Sequence, residues 1–210
     1  MTTIACLPPA ILWAASFAAS TDGSKGPICA IEACQQGDTV RIVAVDGHRC
    51  FLCLVPTTHG FFVPEEPIRL WPKAFSKAPS RKVVRALLDD SGVVQFQDRH
   101  GFIASSAVWT ADPWALSEQA FPNIDQLWPS SEQLSCNPGT FVAFDPAYVA
   151  DFMKVVSKLG SNGTVRVLSQ DKPVAPTVWQ AVLDNAWLGI DSTQEIWLNY
   201  LLMPKLVRGQ

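Results

Sequence analysis

Apolar and polar positions along the chain change period in a fixed order, and that order recurs. A short apolar run, Thr3 to Leu7, leads into Pro9-Ala10-Ile11-Leu12-Trp13-Ala14-Ala15-Ser16-Phe17. Further on, Gly60 to Val63 precedes Pro67-Ile68-Arg69-Leu70-Trp71-Pro72-Lys73-Ala74-Phe75, with Pro, Leu, Trp and Phe at matching offsets. A looser third copy follows Thr140 to Phe144 and runs Asp145-Pro146-Ala147-Tyr148-Val149-Ala150-Asp151-Phe152-Met153. Each proline suits the first turn of a helix, where its missing N–H costs nothing. Asp145 is a ready N-cap, and Glu65 with Glu66 suit the positive end of a helix dipole.

Strand-like runs follow each predicted helix. They are Ile28 to Cys34, Thr39 to Val45 and Cys50 to Val55 in the first copy, and Val83 to Asp89, Val93 to Asp98 and Gly101 to Trp109 in the second. The third has Thr164 to Ser169, Val178 to Asp184 and Ile196 to Met203. Gly- and Asp-rich turns separate them. The pattern predicts an α+β fold built from three β-α-β-β-β repeats, with antiparallel sheets and the helices on one face. One such unit cannot bury its own helix and sheet faces, so the repeats must pack together.

Composition narrows the class. With 48% apolar and 17% charged residues in 210, the chain has a core to bury and is not disordered. A net charge of −3 excludes a generally basic coat but leaves room for local basic stripes. Six cysteines are too few for a disulfide scaffold. Cys50 and Cys53 form a C-x-x-C, yet on a strand they point to opposite faces, which excludes a shared metal or bond. A reducing, cytoplasmic setting is expected. The apolar stretch from Ile11 to Ala19 has no Lys or Arg before it, unlike a secretory leader. No window is long enough to span a bilayer.

Catalytic chemistry finds no support. His48, His59 and His100 stand in turn-like contexts without a nucleophile motif, and Glu65-Glu66 and Asp89-Asp90 are adjacent pairs whose carboxylates diverge. There is no Gly-rich phosphate loop. A non-enzymatic protein without cofactor or metal is expected.

Three segments carry a resemblance. Gly37-Asp38-Thr39-Val40-Arg41 and Val43-Ala44-Val45-Asp46-Gly47-His48-Arg49-Cys50 form the first, and Phe121-Pro122-Asn123-Ile124-Asp125-Gln126-Leu127-Trp128-Pro129 the second. The third is Tyr200-Leu201-Leu202-Met203-Pro204-Lys205-Leu206. In that order they resemble the T-D-G-H-R-L turn, the F-P segment and the carboxy-terminal M-P segment of the bacterial sliding clamp, the β subunit of DNA polymerase III. Residues 1–129 resemble one complete clamp domain, the middle one, and residues 130–210 half of the last. The resemblance therefore implies a truncated clamp-like chain.

The resemblance implies a non-catalytic DNA replication and processivity factor with two binding surfaces. The first is a pocket for the short clamp-binding peptides of polymerases and repair proteins. By position it comprises Ile28, Gly47, His48, Arg49, Cys50, Pro122, Leu127, Leu201, Met203 and Pro204. A glycine turn lets backbone approach a guest, and Leu, Met and Pro make an apolar groove. On the residues alone, a hairpin turn and a core strand explain the same positions. Three departures bear on specificity: Gln126 replaces a basic residue, Lys205 an apolar one, and Leu206 an arginine.

The second surface is for duplex DNA, lined in clamps by basic helices. Arg69, Lys73 and Lys77 fall at i, i+4, i+8 on the second predicted helix; Arg81 and Lys82 extend the stripe, and Lys154 with Lys158 repeat the spacing on the third. Solvated helix faces explain these cations equally well, and the first helix has none. The competing expectation is a clamp-fold interaction protein, a peptide-binding decoy or structural module, that does not encircle DNA. A half-domain leaves a sheet edge and a helix face uncovered, so a homo-oligomer is expected.

Overall fold

The computed structural model describes residues 1–110, 120–129, 143–170, 175–190 and 193–204. They form two helices and two antiparallel sheets, an α+β architecture. The first sheet has the order β1-β6-β7-β8, with β1 Thr3–Leu7, β6 Val83–Asp89, β7 Val93–Asp98 and β8 Ile103–Val108. The second is seven-stranded, β5-β2-β3-β4-β11-β10-β9. Its strands are β2 Ile31–Gln36, β3 Thr39–Val45, β4 Arg49–Pro56, β5 Ile68–Leu70, β9 Arg166–Leu168, β10 Thr177–Val182 and β11 Trp197–Leu202.

Helix α1 (Pro9–Ser16) starts on the expected proline after an extended Pro8. Pro9 to Ala15 are all buried, because the helix packs against β3 of one sheet, β6 of the other and a turn at residues 72–75. Helix α2 (Pro146–Leu159) also starts as expected: the Asp145 carboxylate accepts from the Ala147 N–H at 2.9 Å and Pro146 occupies the first turn. Its Phe152, Val155, Val156 and Leu159 face the core, and its other positions are open or half-open.

The second copy of the repeat has no helix, which corrects the expectation of three β-α-β-β-β units. Residues 68–70 are strand β5, and Pro72–Phe75 is a single 3-10 turn. Pro72 is the cause. It holds the preceding Trp71 in an extended conformation (φ −75°, ψ 117°), where the first copy has Ala14 after Trp13 and the helix runs on. The run Gly60 to Val63 contributes only a bridge between Phe62 and Cys6. In the third copy, residues 140–142 of the leading run lie outside the described residues.

The two chain regions meet strand to strand. β11 pairs with β4, setting Leu201 opposite Cys50 and Leu202 opposite Arg49. The core continues beneath this seam. Tyr200 is fully buried, its ring edge-on to Phe51 and Phe152 at 5.2 and 4.9 Å, and its hydroxyl donates to the Ala14 carbonyl of α1 at 2.6 Å.

Candidate functional site: an apolar patch beside the Asp46-Gly47 turn

The inner face of the seven-stranded sheet packs on the helices through Ile42, Ala44, Phe51, Cys53, Leu198 and Tyr200. Strict alternation sends their neighbours to the outer face. There Val43, Val45, Cys50, Val178 and Leu201 form a second, smaller cluster, with Ile28, Leu52 and Leu168 half-buried against it. The segment 121–128 lies over this cluster. Its anchor is Ile124, 1% exposed, flanked by half-buried Phe121 and Trp128.

Local hydrogen bonds shape that segment. The Asn123 side chain accepts from the Asp125 N–H at 3.2 Å, and the Leu127 and Trp128 N–H groups donate to the Ile124 carbonyl at 2.9 and 3.0 Å. Arg41 of β3 holds Asp125 at 2.9 Å. The turn between β3 and β4 is equally well defined. Asp46 accepts from the N–H groups of His48 and Arg49 at 2.9 and 3.0 Å, and Gly47 takes φ 93°.

Of the residues implicated by the resemblance, Ile28, Cys50 and Leu201 share one cluster. Leu127 and Met203 are 48% and 38% exposed, Pro122 is exposed and Pro204 half-buried. The Met203 N–H donates to the His48 carbonyl at 2.9 Å, so the M-P segment is fastened to the turn. Gly47 and His48 are exposed, with the imidazole stacked over Tyr148 at 6.2 Å. Arg49 turns elsewhere. Its guanidinium bonds Asp46 at 2.9 Å and Asp151 of α2 at 2.6 Å, and it lies 4.5 Å from the Tyr148 ring centre. Burial alone would lower its pKa, but the two carboxylates more than offset this and raise it. Sequence reasoning missed Ile124, Trp128, Val43, Val45 and Val178. The first two were signalled by their i, i+4 spacing, the others by the strand alternation.

The C-x-x-C thiols part as strand geometry requires, Cys53 into the main core and Cys50 into the outer cluster. Burial pushes Cys50 up to about 12 and Cys53 higher still. Neither is a thiolate near neutral pH. Both are expected to resist alkylation at pH 8 in the folded protein and to react only on unfolding, as mass spectrometry of the labelled chain would show. Labelling of either thiol at the rate of a free cysteine would refute this. Among the described residues, no group of three or more His, Cys, Asp or Glu side chains gathers as metal ligands would. No helix among them is long and apolar enough to cross a membrane.

Lys154 and Lys158 share helix α2 at the expected i, i+4 spacing, but the cations of the second copy share no helix. Arg69 lies in β5 with Glu32 at 3.9 Å, and Lys73 sits in the 3-10 turn over the Trp71 ring. Lys77 and Lys82 are exposed. Arg81 bonds Asp184 at 2.6 Å, and both Arg81 and Lys158 lie 5.4 Å from the Trp187 ring centre. Lys154 covers Phe17. The i, i+4, i+8 stripe therefore dissolves, because the second helix that would carry it does not form.

Comparison with solved structures gives the architecture its class: the fold is that of the bacterial sliding clamp. The chain superposes on the β subunit of DNA polymerase from Streptococcus pyogenes with a TM-score of 0.65 at 13% identity, covering 99% of this chain and 66% of that one. For the sliding clamp of Bacillus subtilis the values are 0.61, 14%, 98% and 64%. For the clamp of Bartonella birtlesii bound to griselimycin they are 0.57, 16%, 99% and 67%. The chain thus spans about two thirds of the length of the clamp subunits it matches. Neither a family model nor a curated protein sequence matches it.

Proposed function

We propose that this chain is a clamp-fold interaction protein that docks short peptides beside the Asp46-Gly47 turn, does not encircle duplex DNA and catalyses no reaction. One observation carries the choice against encirclement. Helix α1, which in a DNA-lining role needs an open cationic face, is buried from Pro9 to Ala15 and carries no Lys or Arg. In addition, the second repeat supplies no helix, and Arg69, Arg81, Lys154 and Lys158 lie against carboxylates or aromatic rings of the chain itself. With Lys154 and Lys158 of α2 the only basic residues on an α-helix among the described residues, phosphate contacts and the counterion release that drives them are reduced.

The peptide reading rests on exposed Leu127 and Met203 beside an apolar cluster and a glycine turn, a combination suited to apolar anchors of an extended guest. The guests by chemistry are the short apolar peptides of polymerases or repair proteins. The division into a complete domain (1–129) and a half-domain (130–210) belongs to this proposal.

The test is fluorescence anisotropy with a labelled clamp-binding peptide and, separately, a labelled duplex. Griselimycin, with which the Bartonella birtlesii clamp was crystallised, serves as competitor. Peptide binding that Leu127→Asp weakens by about tenfold or more is the expected result, since one lost apolar anchor is worth ~1.4 kcal/mol or more. Salt-sensitive duplex binding with no peptide binding would reverse the assignment.

A further inference from the structure

A cavity separate from the peptide site lies on the four-stranded sheet. In the second copy of the repeat, one 3-10 turn, Pro72–Phe75, and the loop after it stand in place of the predicted helix, while α1 packs on β6. Further along the sheet the cover is thin. Phe96 of β7 faces Ser105 of β8 across the ladder; Phe96 and Ala107 are half-buried, and Ser105 is exposed. Between these strands and residues 73–80 lies a cavity of about 450 Å³, of the size that takes up small molecules. Its walls are apolar, chiefly Phe75, Pro79, Val83, Phe96 and Ala107, with the Phe75 and Phe96 rings edge-on at 6.0 Å. The charge around it has one sign. Lys73 and Lys77 line the cavity and no Asp or Glu does. Both lysines are exposed, neither pairs with a carboxylate among the described residues, and the Lys73 ammonium lies 5.4 Å from the Trp71 ring centre.

We propose that this cavity binds small aromatic carboxylates. The ligand's ring packs against Phe75 and Phe96, where edge-to-face contact of a third ring adds to the gain from buried area. Its carboxylate stays at the solvent side with the two ammonium groups. Charge and wall chemistry together select this class. A neutral arene leaves both lysines without a partner, and a polyphosphate would press several charges against Phe, Pro and Val side chains that cannot solvate them. The cavity has no residue in common with the candidate peptide site, so it stands or falls independently of that reading. It also gives Lys73 and Lys77 a role that needs no second helix.

Isothermal titration calorimetry on the full chain with 2-naphthoate tests the site, with 2-naphthamide as the neutral counterpart. One naphthoate should bind per chain, and naphthamide should bind about fivefold more weakly, the contribution of solvent-exposed charge pairs. Lys73→Gln combined with Lys77→Gln should weaken naphthoate by about the same factor and leave naphthamide unchanged. Ser105→Trp fills the cavity from β8 and should abolish binding of both probes. Ser105 is exposed, so this variant still folds, which far-UV circular dichroism verifies. Lys82→Gln, outside the cavity, should alter neither affinity. Absence of naphthoate binding overturns the proposal, as does equal affinity for the two probes or naphthoate binding that survives Ser105→Trp.

Discussion

Tyr200→Ala should cost about 4 kcal/mol of unfolding free energy, the range found when a large buried aromatic is truncated. That is enough to lower the melting temperature by about 10 °C in a chain of this size. Tyr200 is fully buried and touches three separate elements: Phe51 of β4, Phe152 of α2 and, through its hydroxyl, the Ala14 carbonyl of α1. Burial pushes the phenol above its ordinary pKa, so the O–H is a donor near neutral pH. Tyr200→Phe separates the contributions. It keeps the ring and removes one buried donor, at about 1–2 kcal/mol. Urea denaturation of both variants gives the two numbers. A loss below about 2 kcal/mol for Tyr200→Ala would mean that β11 and α2 are not joined to the rest of the core through this ring.

That joint also marks the limit of what the chain's linear order discloses. The helix starts at Pro9 and Pro146 were legible because proline and the Asp145 cap act within a few residues. The Asp46-Gly47 turn was legible for the same reason, and three short segments in order were enough to suggest the clamp fold. The second helix does not form although the repeat predicts it, and its disqualifying residue, Pro72, is itself part of the sequence. The match of Pro, Leu, Trp and Phe between copies outweighed one local breaker, and the basic stripe built on that helix was lost with it. The candidate peptide site was half legible. Strand alternation placed Cys50 and Leu201 on one surface, but the cover that Ile124 and Trp128 provide depends on how segment 121–128 folds back over β3 and β4. Contacts between positions remote in the chain follow from topology, and the partner Arg49 finds in α2, 102 residues away, belongs to that class.

Arg49→Met should destabilise the protein by about 3 kcal/mol. Removing one member of a buried ion pair leaves its partners charged and without compensation, a loss of about 3–5 kcal/mol when the site is dry. The lower end applies because the side chain of Asp151 is 34% exposed and water can reach it, whereas those of Arg49 and Asp46 are 12% and 11% exposed. Asp46 keeps two backbone donors of its own turn, so the turn persists while its tie to α2 is lost. Arg49→Lys should recover less than half of the loss. One ammonium cannot reproduce a planar fork that serves Asp46 and Asp151 and also lies over the Tyr148 ring. The coupling to α2 is isolated by adding Asp151→Asn and closing the double-mutant cycle, with an expected interaction of about 1–2 kcal/mol. If Arg49→Met cost under about 1 kcal/mol, the two ion pairs would contribute no more than exposed ones do. Exchanging those bonds for contacts with a docked peptide, the role the resemblance to clamps implies for Arg49, would then cost the fold little.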